Sequence, residues 1–208
     1  MPEPEKNKIK YGLKNVHWAK QEIGTDGEPE FGTVKPWPGA VNFSMDPEGE
    51  RSVFYADDGE YYVFGNNNGY SGDLETALVP DEFRTEILGE VEDDNGVLIE
   101  DGDAPAVPFA LLFEFTGDVR QIRHVMYNCR AERPKVEGET KGENREAKTD
   151  TLSLKNSPLY FPSLKKSIPK AKTGANTSAA VYDDWYEEVY VPEITASSGT
   201  TGTGTGTT

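Results

Sequence analysis

The fold of this chain is decided by one stretch, Ala106-Val107-Pro108-Phe109-Ala110-Leu111-Leu112-Phe113-Glu114-Phe115-Thr116. Its large apolar side chains alternate, which places five of them on one face of a β-strand: Val107, Phe109, Leu111, Phe113 and Phe115. Residues 119–130 follow across the turn Thr116-Gly117-Asp118 and are predicted to pair with this strand. The two strands predict a core hairpin that organises the rest of the fold.

Shorter strand patterns precede and follow this hairpin. Alternating apolar residues or β-prone runs bounded by turn residues predict strands at 14–20, 38–45, 52–56, 60–64, 70–78 and 147–154. In the first, Val16 and Trp18 share a face, and in the second the shared face carries Val41, Phe43 and Met45. Residues 52–56 and 60–64 flank Asp57-Asp58-Gly59, which indicates a tight hairpin turn.

The strand at 70–78 separates two kinds of side chain most clearly. Ser71, Asp73 and Glu75 lie on one face and are polar. The opposite face is predicted to point into the core and consists of Tyr70, Gly72, Leu74, Thr76 and Leu78.

The sequence predicts one short helix at about residues 81–88. Pro80 and Asp81 are typical of a helix start, Phe83 and Ile87 are four residues apart on one face, and Gly89 is a typical stop. A helix of two turns is not stable alone in water, so these apolar residues must attach it to a sheet. We therefore expect a mainly β fold, a sandwich or barrel, with one short flanking helix.

The length of 208 residues is consistent with a single all-β domain. We divide the chain into an N-terminal arm (1–12), a β-rich domain (13–154), a C-terminal extension (155–193) and a Gly/Ser/Thr tail (194–208). The extension has a weaker pattern, although its aromatic and acidic run 181–191 is compatible with an added strand. The low-complexity tail has the composition of a flexible linker.

The acidic residues are concentrated in one part of the chain. The net charge is −16, and residues 22–103 contain 22 carboxylates against Lys35, Arg51 and Arg84. A folded region of this sign presents a negative surface, which repels nucleic acid. The basic residues interleaved with aromatics that are typical of nucleic-acid binding are also missing.

No motif in the sequence predicts catalysis, a metal or a cofactor, and we expect a protein that is not an enzyme. His17 and His124 are the only histidines, and Cys129 is the only cysteine. Asp93-Asp94-Asn95-Gly96 resembles part of a calcium loop, but Gly102 stands where the bidentate glutamate is required. The first residues lack a signal-peptide pattern, and no apolar run approaches the roughly 20 residues of a membrane-spanning helix.

The aromatic hairpin at 53–64 carries apolar side chains on both faces. Val53, Tyr55, Tyr61 and Val63 lie on one face, and Phe54, Tyr62 and Phe64 on the other. Either both faces are buried within the same subunit, or one face contacts a neighbouring subunit. We favour the second interpretation because a small domain has few layers between which to bury a hairpin.

Several motifs, taken in order, resemble the major tail protein family of long-tailed phages and prophages of Gram-positive bacteria. The resemblance covers residues 8 to 154 and rests on the segments 8–16, 38–41, 46–49, 54–59, 67–72, 80–84, 88–90, 94–98 and 109–115. It implies a subunit with two packed antiparallel sheets and a flanking helix. Such subunits form hexameric rings stacked into a tail tube, through which the DNA genome passes during ejection.

The resemblance also implies partners and a location. The expected partners are further copies of the chain and the tail terminator, tape measure and distal tail proteins, with DNA as unbound cargo and no membrane anchor. The expected location is the virion tail, after assembly in the cytoplasm of the host bacterium. The alternative function is a carbohydrate-binding β-sandwich, in which Trp18, Trp37 and Trp185 contribute to a groove.

Within the tail-tube hypothesis we assign three groups of residues. The channel is expected to be lined by Asp57, Asp58, Glu60, Asp73 and Glu75, and contacts between subunits to involve Phe54, Tyr62 and Phe64. Stacking between rings is expected to pair a basic arm with an acidic loop, through Lys6, Lys8, Lys10 and Lys14 on one side and Glu92, Asp93 and Asp94 on the other.

Overall fold

The structure is a computed structural model that describes residues 11–49, 51–117, 121–138 and 148–193, with all of their side chains except those of residues 51, 52, 63 and 64. Its strands are β1 (Leu13–Ile23), β2 (Pro29–Phe31), β3 (Lys35–Pro36), β4 (Ala40–Glu48), β5 (Arg51–Ala56), β6 (Gly59–Gly65), β7 (Gly69–Thr76), β8 (Val91–Glu92), β9 (Leu98–Ile99), β10 (Phe109–Phe115), β11 (Arg123–Ala131), β12 (Asp150–Asn156), β13 (Leu159–Phe161), β14 (Lys166–Ile168) and β15 (Lys170–Lys172). The helices are α1 (Asp81–Glu86), α2 (Ala179–Asp183) and a 3-10 turn (Asp184–Tyr186).

Nine of these strands form one antiparallel sheet. Its order is β2-β1-β10-β11-β12-β7-β4, with β3 beside β1 and β15 beside β11. The pairs β5-β6, β8-β9 and β13-β14 form separate two-stranded sheets. The predicted mainly β, antiparallel fold class is confirmed, and β10 pairs with β11 as the core hairpin.

The large sheet folds back on itself. The rings of Phe43 on β4 and Phe113 on β10 have centroids 4.7 Å apart, although three strands separate β4 from β10 in the sheet. In a flat sheet four strand spacings would amount to roughly 19 Å. The two halves of the sheet therefore face each other across a shared core, which we call the inner core.

The inner core collects the alternating residues that the sequence predicted. Val16, Trp18, Leu74, Phe109 and Leu111 are buried in it, and Val107 and Phe115 pack against its margin. Gly72 is required where β4 and β7 meet, because a Cβ at this position would collide with the backbone oxygen of Ser44.

Two positions predicted to face the core are exposed instead. Val41 is displaced by a bulge between Ala40 and Asn42, where the pairing of β4 with β7 shifts register. Leu78 lies beyond the end of β7 at Thr76, in a segment that has left the alternation of the strand.

Helix α1 confirms the predicted flanking helix, although it ends at Glu86. Phe83 is fully buried, and its ring lies 4.4 Å from that of Trp37 and 5.2 Å from that of Trp18. Ile87 and Leu88, just after the helix, are also buried in the inner core. The helix is therefore held to the sheet by the apolar face that its spacing predicted.

The C-terminal extension covers the outer face of one half of the sheet. Ala19, Ala110, Leu112, Val125 and Tyr127 point outward from β1, β10 and β11 and form a second core. The extension closes this outer core with Leu159, Phe161, Trp185 and Val189. Residues 155–193 thus pack against the same sheet as the preceding domain.

The interpretation of residues 181–191 as an added strand is wrong. They contain the end of α2 and the 3-10 turn, while the strand that the extension adds to the sheet is β15, beside β11. The reason is the spacing of Val181, Trp185 and Val189, which are four residues apart and all contribute to the outer core. The side chain of Ser178 caps α2 by accepting a hydrogen bond from the backbone N–H of Val181.

Candidate functional site: a polar sheet face and an aromatic hairpin

The second half of the sheet has an outer face that consists of polar side chains. Pairing of β4, β7 and β12 aligns three rows across the strands: Asn42-Glu75-Thr151, Ser44-Asp73-Ser153 and Asp46-Ser71-Lys155. The alternation along β7 produces this face, because Leu74 and Thr76 point into the inner core and leave Asp73 and Glu75 on the opposite side. We call these nine residues, together with Glu48, the polar face.

The acidic side chains of the polar face are held in place by neighbouring hydroxyl groups. Ser153 Oγ donates a hydrogen bond to Asp73 Oδ1 at 2.8 Å, and Thr149 Oγ1 donates to Glu75 Oε1 at 2.6 Å. Both carboxylates therefore point in defined directions at the surface. Their orientation is the one predicted from the sequence.

The charge of the polar face is negative. Its single cation is Lys155, whose Nζ lies 3.2 Å from Glu48 Oε2. A hydrogen bond from Ser71 and the ammonium of Lys155 lower the pKa of Glu48, so this group is ionised at neutral pH. Asp46, Asp73 and Glu75, the other carboxylates of the polar face, form no ion pair with any of its ten residues.

The aromatic hairpin is formed by β5 and β6, which pair with each other as predicted. Asp57 and Asp58 form its two-residue turn, both with positive φ, as a type I′ turn requires. Phe54, Tyr55, Tyr61 and Tyr62 are 56%, 65%, 69% and 57% exposed. The interpretation in which both faces are buried within the same subunit is therefore wrong for these four side chains, while the side chain of Phe64 lies outside those described.

The five carboxylates assigned to the channel fall on two separate elements. Asp73 and Glu75 belong to the polar face, whereas Asp57, Asp58 and Glu60 are exposed at the tip of the aromatic hairpin. The hairpin leaves the sheet at the C-terminal end of β4, where the N–H of Asn68 donates to the carbonyl of Glu48. Glu75 pairs with Asn42 near the other end of β4. A lining role for either group stays a prediction.

The residues assigned to ring stacking are partly engaged within the chain. Lys6, Lys8 and Lys10 lie outside the described residues, and Lys14 Nζ lies 3.1 Å from Glu114 Oε1. Glu92 and Asp94 are exposed next to the turn between β8 and β9. Asp93 organises this turn by accepting hydrogen bonds from the N–H groups of Asn95 and Val97 at 2.8 Å, which lower the pKa of its carboxyl group.

A buried ionic cluster surrounds Glu114, and no sequence motif predicted it. This carboxylate is 3% exposed and lies near Lys14, Asn15 and Arg123, with Asn15 Nδ2 donating to Oε1 at 2.7 Å. The guanidinium of Arg123 lies 3.9 Å from the ring of Tyr182 and 4.9 Å from that of Tyr186. The cluster thereby connects the core hairpin to the C-terminal extension, and the one signal for it was a glutamate within an apolar strand.

The three tryptophans are buried, and the two histidines contact aromatic rings. Trp18, Trp37 and Trp185 are each at most 2% exposed, so they do not form the groove that the carbohydrate-binding alternative requires. The ring of His17 contacts that of Tyr186 at 4.7 Å, and His124 stacks on Phe113 at 5.1 Å. Among the described residues, no group of three or more histidine, cysteine or acidic side chains is arranged to hold a metal ion.

Comparison with known proteins adds no assignment, since neither a protein-family model nor a curated protein matches the chain. Within the described ranges, none of the helices has the length and apolar character needed to cross a membrane.

Proposed function

We propose that this chain is a structural subunit of a phage tail tube, which forms hexameric rings that stack around a channel for DNA. The motif resemblance over residues 8–154 suggests this function. The observation that carries it is the polar face of β4, β7 and β12, an ordered sheet surface with a net negative charge. A wall of this kind suits a channel that conducts a polyanion without binding it.

Electrostatic repulsion between the polar face and DNA has a defined range. Duplex DNA carries one phosphate charge per roughly 1.7 Å of its axis, so cations on a channel wall would retain it. At physiological salt, interactions between exposed charges are largely screened beyond about 8 Å, which is short compared with the diameter of a DNA duplex. Carboxylates such as Asp73 and Glu75 repel the phosphates at close approach and keep the DNA unbound.

The free edge of the sheet is suited to continuing around a ring. β4 has nine residues and pairs with β7 on one side, and no other strand of the described residues pairs with its opposite side. A long unpaired edge offers backbone hydrogen-bonding groups to another chain. In the proposed ring, this edge joins the sheet of the next subunit, and the polar faces combine into one lining.

The aromatic hairpin supplies a second reason for self-association. Four large aromatic side chains are more than half exposed on an element that pairs only with itself within the described residues. Apolar surface of this kind is typical of a protein interaction site. The tail terminator, tape measure and distal tail proteins remain proposed partners, and the virion tail the proposed location.

The proposal predicts that a charge on the aromatic hairpin prevents assembly. Tyr62→Glu places a carboxylate where a neighbouring subunit is expected to bury the ring, so the variant should remain as folded single subunits. Negative-stain microscopy and sedimentation are expected to detect rings or tubes in the parent protein and none in the variant. Tyr160→Glu is the matched control, because Tyr160 is also exposed but lies on β13.

The same experiment can contradict the tail-tube function or the intersubunit role of the aromatic hairpin. If the parent protein forms neither rings nor tubes at any concentration, the tail-tube function is contradicted. If Tyr62→Glu assembles as well as Tyr160→Glu, the aromatic hairpin is not an intersubunit element.

A further inference from the structure

An open cavity of about 180 Å³ lies at the margin of the inner core. Its walls come from both halves of the folded sheet, with Phe43, Met45 and Tyr70 on one side and Phe113 and Met126 on the other, and Lys170 of β15 also lines it. These walls are mostly aromatic and thioether surfaces, and the imidazole of His124 also lines the cavity. An apolar cavity of about 150 Å³ is large enough to bind benzene, so this one has room for a single aromatic ring.

One lysine lines the cavity and a second lies close to it. Lys170 Nζ lies 4.2 Å from the centre of the Tyr70 ring in the cavity wall. Lys172 is exposed two residues further along β15, outside the lining of the cavity. Among the described residues, neither ammonium group has a carboxylate partner within 4 Å. Both lysines belong to a segment, residues 155–172, that contains lysines but no acidic residue, and they offer a site for a negatively charged partner.

The aromatic hairpin has the complementary properties. Residues 53–62 contain Asp57, Asp58 and Glu60 and no lysine or arginine. Phe54 is 56% exposed and has no hydroxyl group that would favour its contact with water. The hairpin therefore presents an apolar ring a few residues from a cluster of carboxylates. The cavity presents the matching pair of features, an aromatic recess with Lys170 in its lining and Lys172 nearby.

We propose that the aromatic hairpin of one copy docks into this cavity on a second copy. Phe54 enters the recess, and the carboxylates at the hairpin tip lie against Lys170 and Lys172. The two surfaces differ and lie on the same chain, so the contact is head-to-tail and generates a ring or an open filament. This inference rests on the proposed self-assembly and assigns the hairpin acids to a subunit contact, which leaves Asp73 and Glu75 for the channel.

A charge swap tests the pairing. Lys170→Glu with Lys172→Glu, and separately Asp57→Lys with Asp58→Lys, should each raise the concentration needed for assembly at least about tenfold, because like charges then meet at the contact. The chain that carries all four substitutions should recover most of the loss. Lys165→Glu with Lys166→Glu is the matched control and should assemble like the parent, since these exposed lysines lie at the β13–β14 pair and not on β15.

A crosslink provides a second test that does not depend on charge. Ala56→Cys and Ala171→Cys proteins, mixed and mildly oxidised, should form a disulfide-linked dimer that neither protein forms alone. Ala56 lies two residues from Phe54 on β5, so its replacement keeps the docking ring and the hairpin acids. Cys129 does not interfere, since burial raises the pKa of its thiol to about 12 and keeps it protonated.

The outcomes separate this inference from the proposed function. Tubes that form normally with Lys170→Glu and Lys172→Glu, or an absent crosslink in a mixture that assembles, would overturn the docking while leaving the tube intact. Two impaired double variants without recovery in the fourfold variant would also overturn the pairing. A parent protein that never assembles would contradict the function itself.

Discussion

At the scale of single residues, Asp73 and Glu75 carry the electrostatic part of the proposal. Both are fixed by hydroxyl donors on the polar face, at 2.8 Å from Ser153 and 2.6 Å from Thr149. Replacing both with lysine should leave the fold intact, because both side chains lie on the solvent side of β7 opposite the buried Leu74. In phage particles whose tail tubes carry both lysine substitutions, the ammonium groups on the channel wall would retain DNA. Ejection of the genome should then become slow and incomplete.

The measurement is the fraction of genome released with time from particles whose tails have normal length by microscopy. Glu187→Lys with Glu188→Lys is the control for net charge, since these exposed acids lie in the C-terminal extension. Release from Asp73→Lys/Glu75→Lys particles at the parent rate would mean that these carboxylates do not face the DNA.

Tyr127 determines a pH dependence of stability. Its hydroxyl donates to the carbonyl of Tyr190 at 2.6 Å, and burial raises the pKa of this tyrosine well above its usual range. The pKa in the unfolded chain is about 10, so the folded state holds the proton more tightly. The stabilising contribution is therefore complete below about pH 10 and is lost as the pH rises beyond that value.

Tyr127→Phe should accordingly lower the free energy of unfolding at pH 7 by about 1 kcal/mol, through the lost hydrogen bond. It should also weaken the fall in stability above pH 10. Urea unfolding at pH 7 and pH 10.5 measures both effects, with Tyr160→Phe as an exposed control. An unchanged alkaline dependence in Tyr127→Phe would contradict this role.

At the scale of elements, Phe83 is the one side chain of α1 that is buried within the helix itself. Phe83 packs against Trp18, Trp37 and Phe109, with ring centroids between 4.4 and 5.2 Å apart. Phe83→Ala should lower the free energy of unfolding by about 3–5 kcal/mol, because it opens a cavity between these rings. Thr85→Ala, on the same helix, should change it by less than about 0.5 kcal/mol. A loss below about 1 kcal/mol for Phe83→Ala in urea unfolding would contradict the attachment of α1 through this ring.

The regular strands were predictable because their alternation is local. The outward direction of Asp73 follows from Leu74 beside it, and the apolar run of β10 is explained by a strand buried on both faces. The bulge that exposes Val41 depends on the pairing of β4 with β7, which no local pattern encodes. The helical C-terminal segment was mistaken for a strand because its composition is aromatic, although the spacing of Val181, Trp185 and Val189 indicated a helix.

The candidate site was predictable to a smaller extent. Exposure of the aromatic hairpin depends on what the rest of the chain leaves uncovered, and composition alone does not reveal it. The ion pair of Lys14 with Glu114 joins residues that are 100 positions apart on adjacent strands. The sequence alone therefore did not show that the charge of Lys14 has a partner within the chain. The cavity beside β15 likewise requires strands from both halves of the folded sheet.

At the scale of the whole molecule, the two outer faces of the sheet differ. The face of β1, β10 and β11 is apolar and is covered by the C-terminal extension. The face of β4, β7 and β12 is polar, exposed and acidic, and it ends at the edge of β4 that no strand of the described residues covers. A subunit with one closed and one open face is suited to a ring whose channel is lined by the open face.

Cryo-electron microscopy of the assembled protein tests this arrangement most directly. We expect hollow tubes of stacked six-membered rings, with β7 next to the channel and the side chains of Asp73 and Glu75 directed into it. Subunits that remain separate at high concentration would contradict the proposed function, and tubes in which the polar face of β4, β7 and β12 forms the outer surface would contradict the proposed lining.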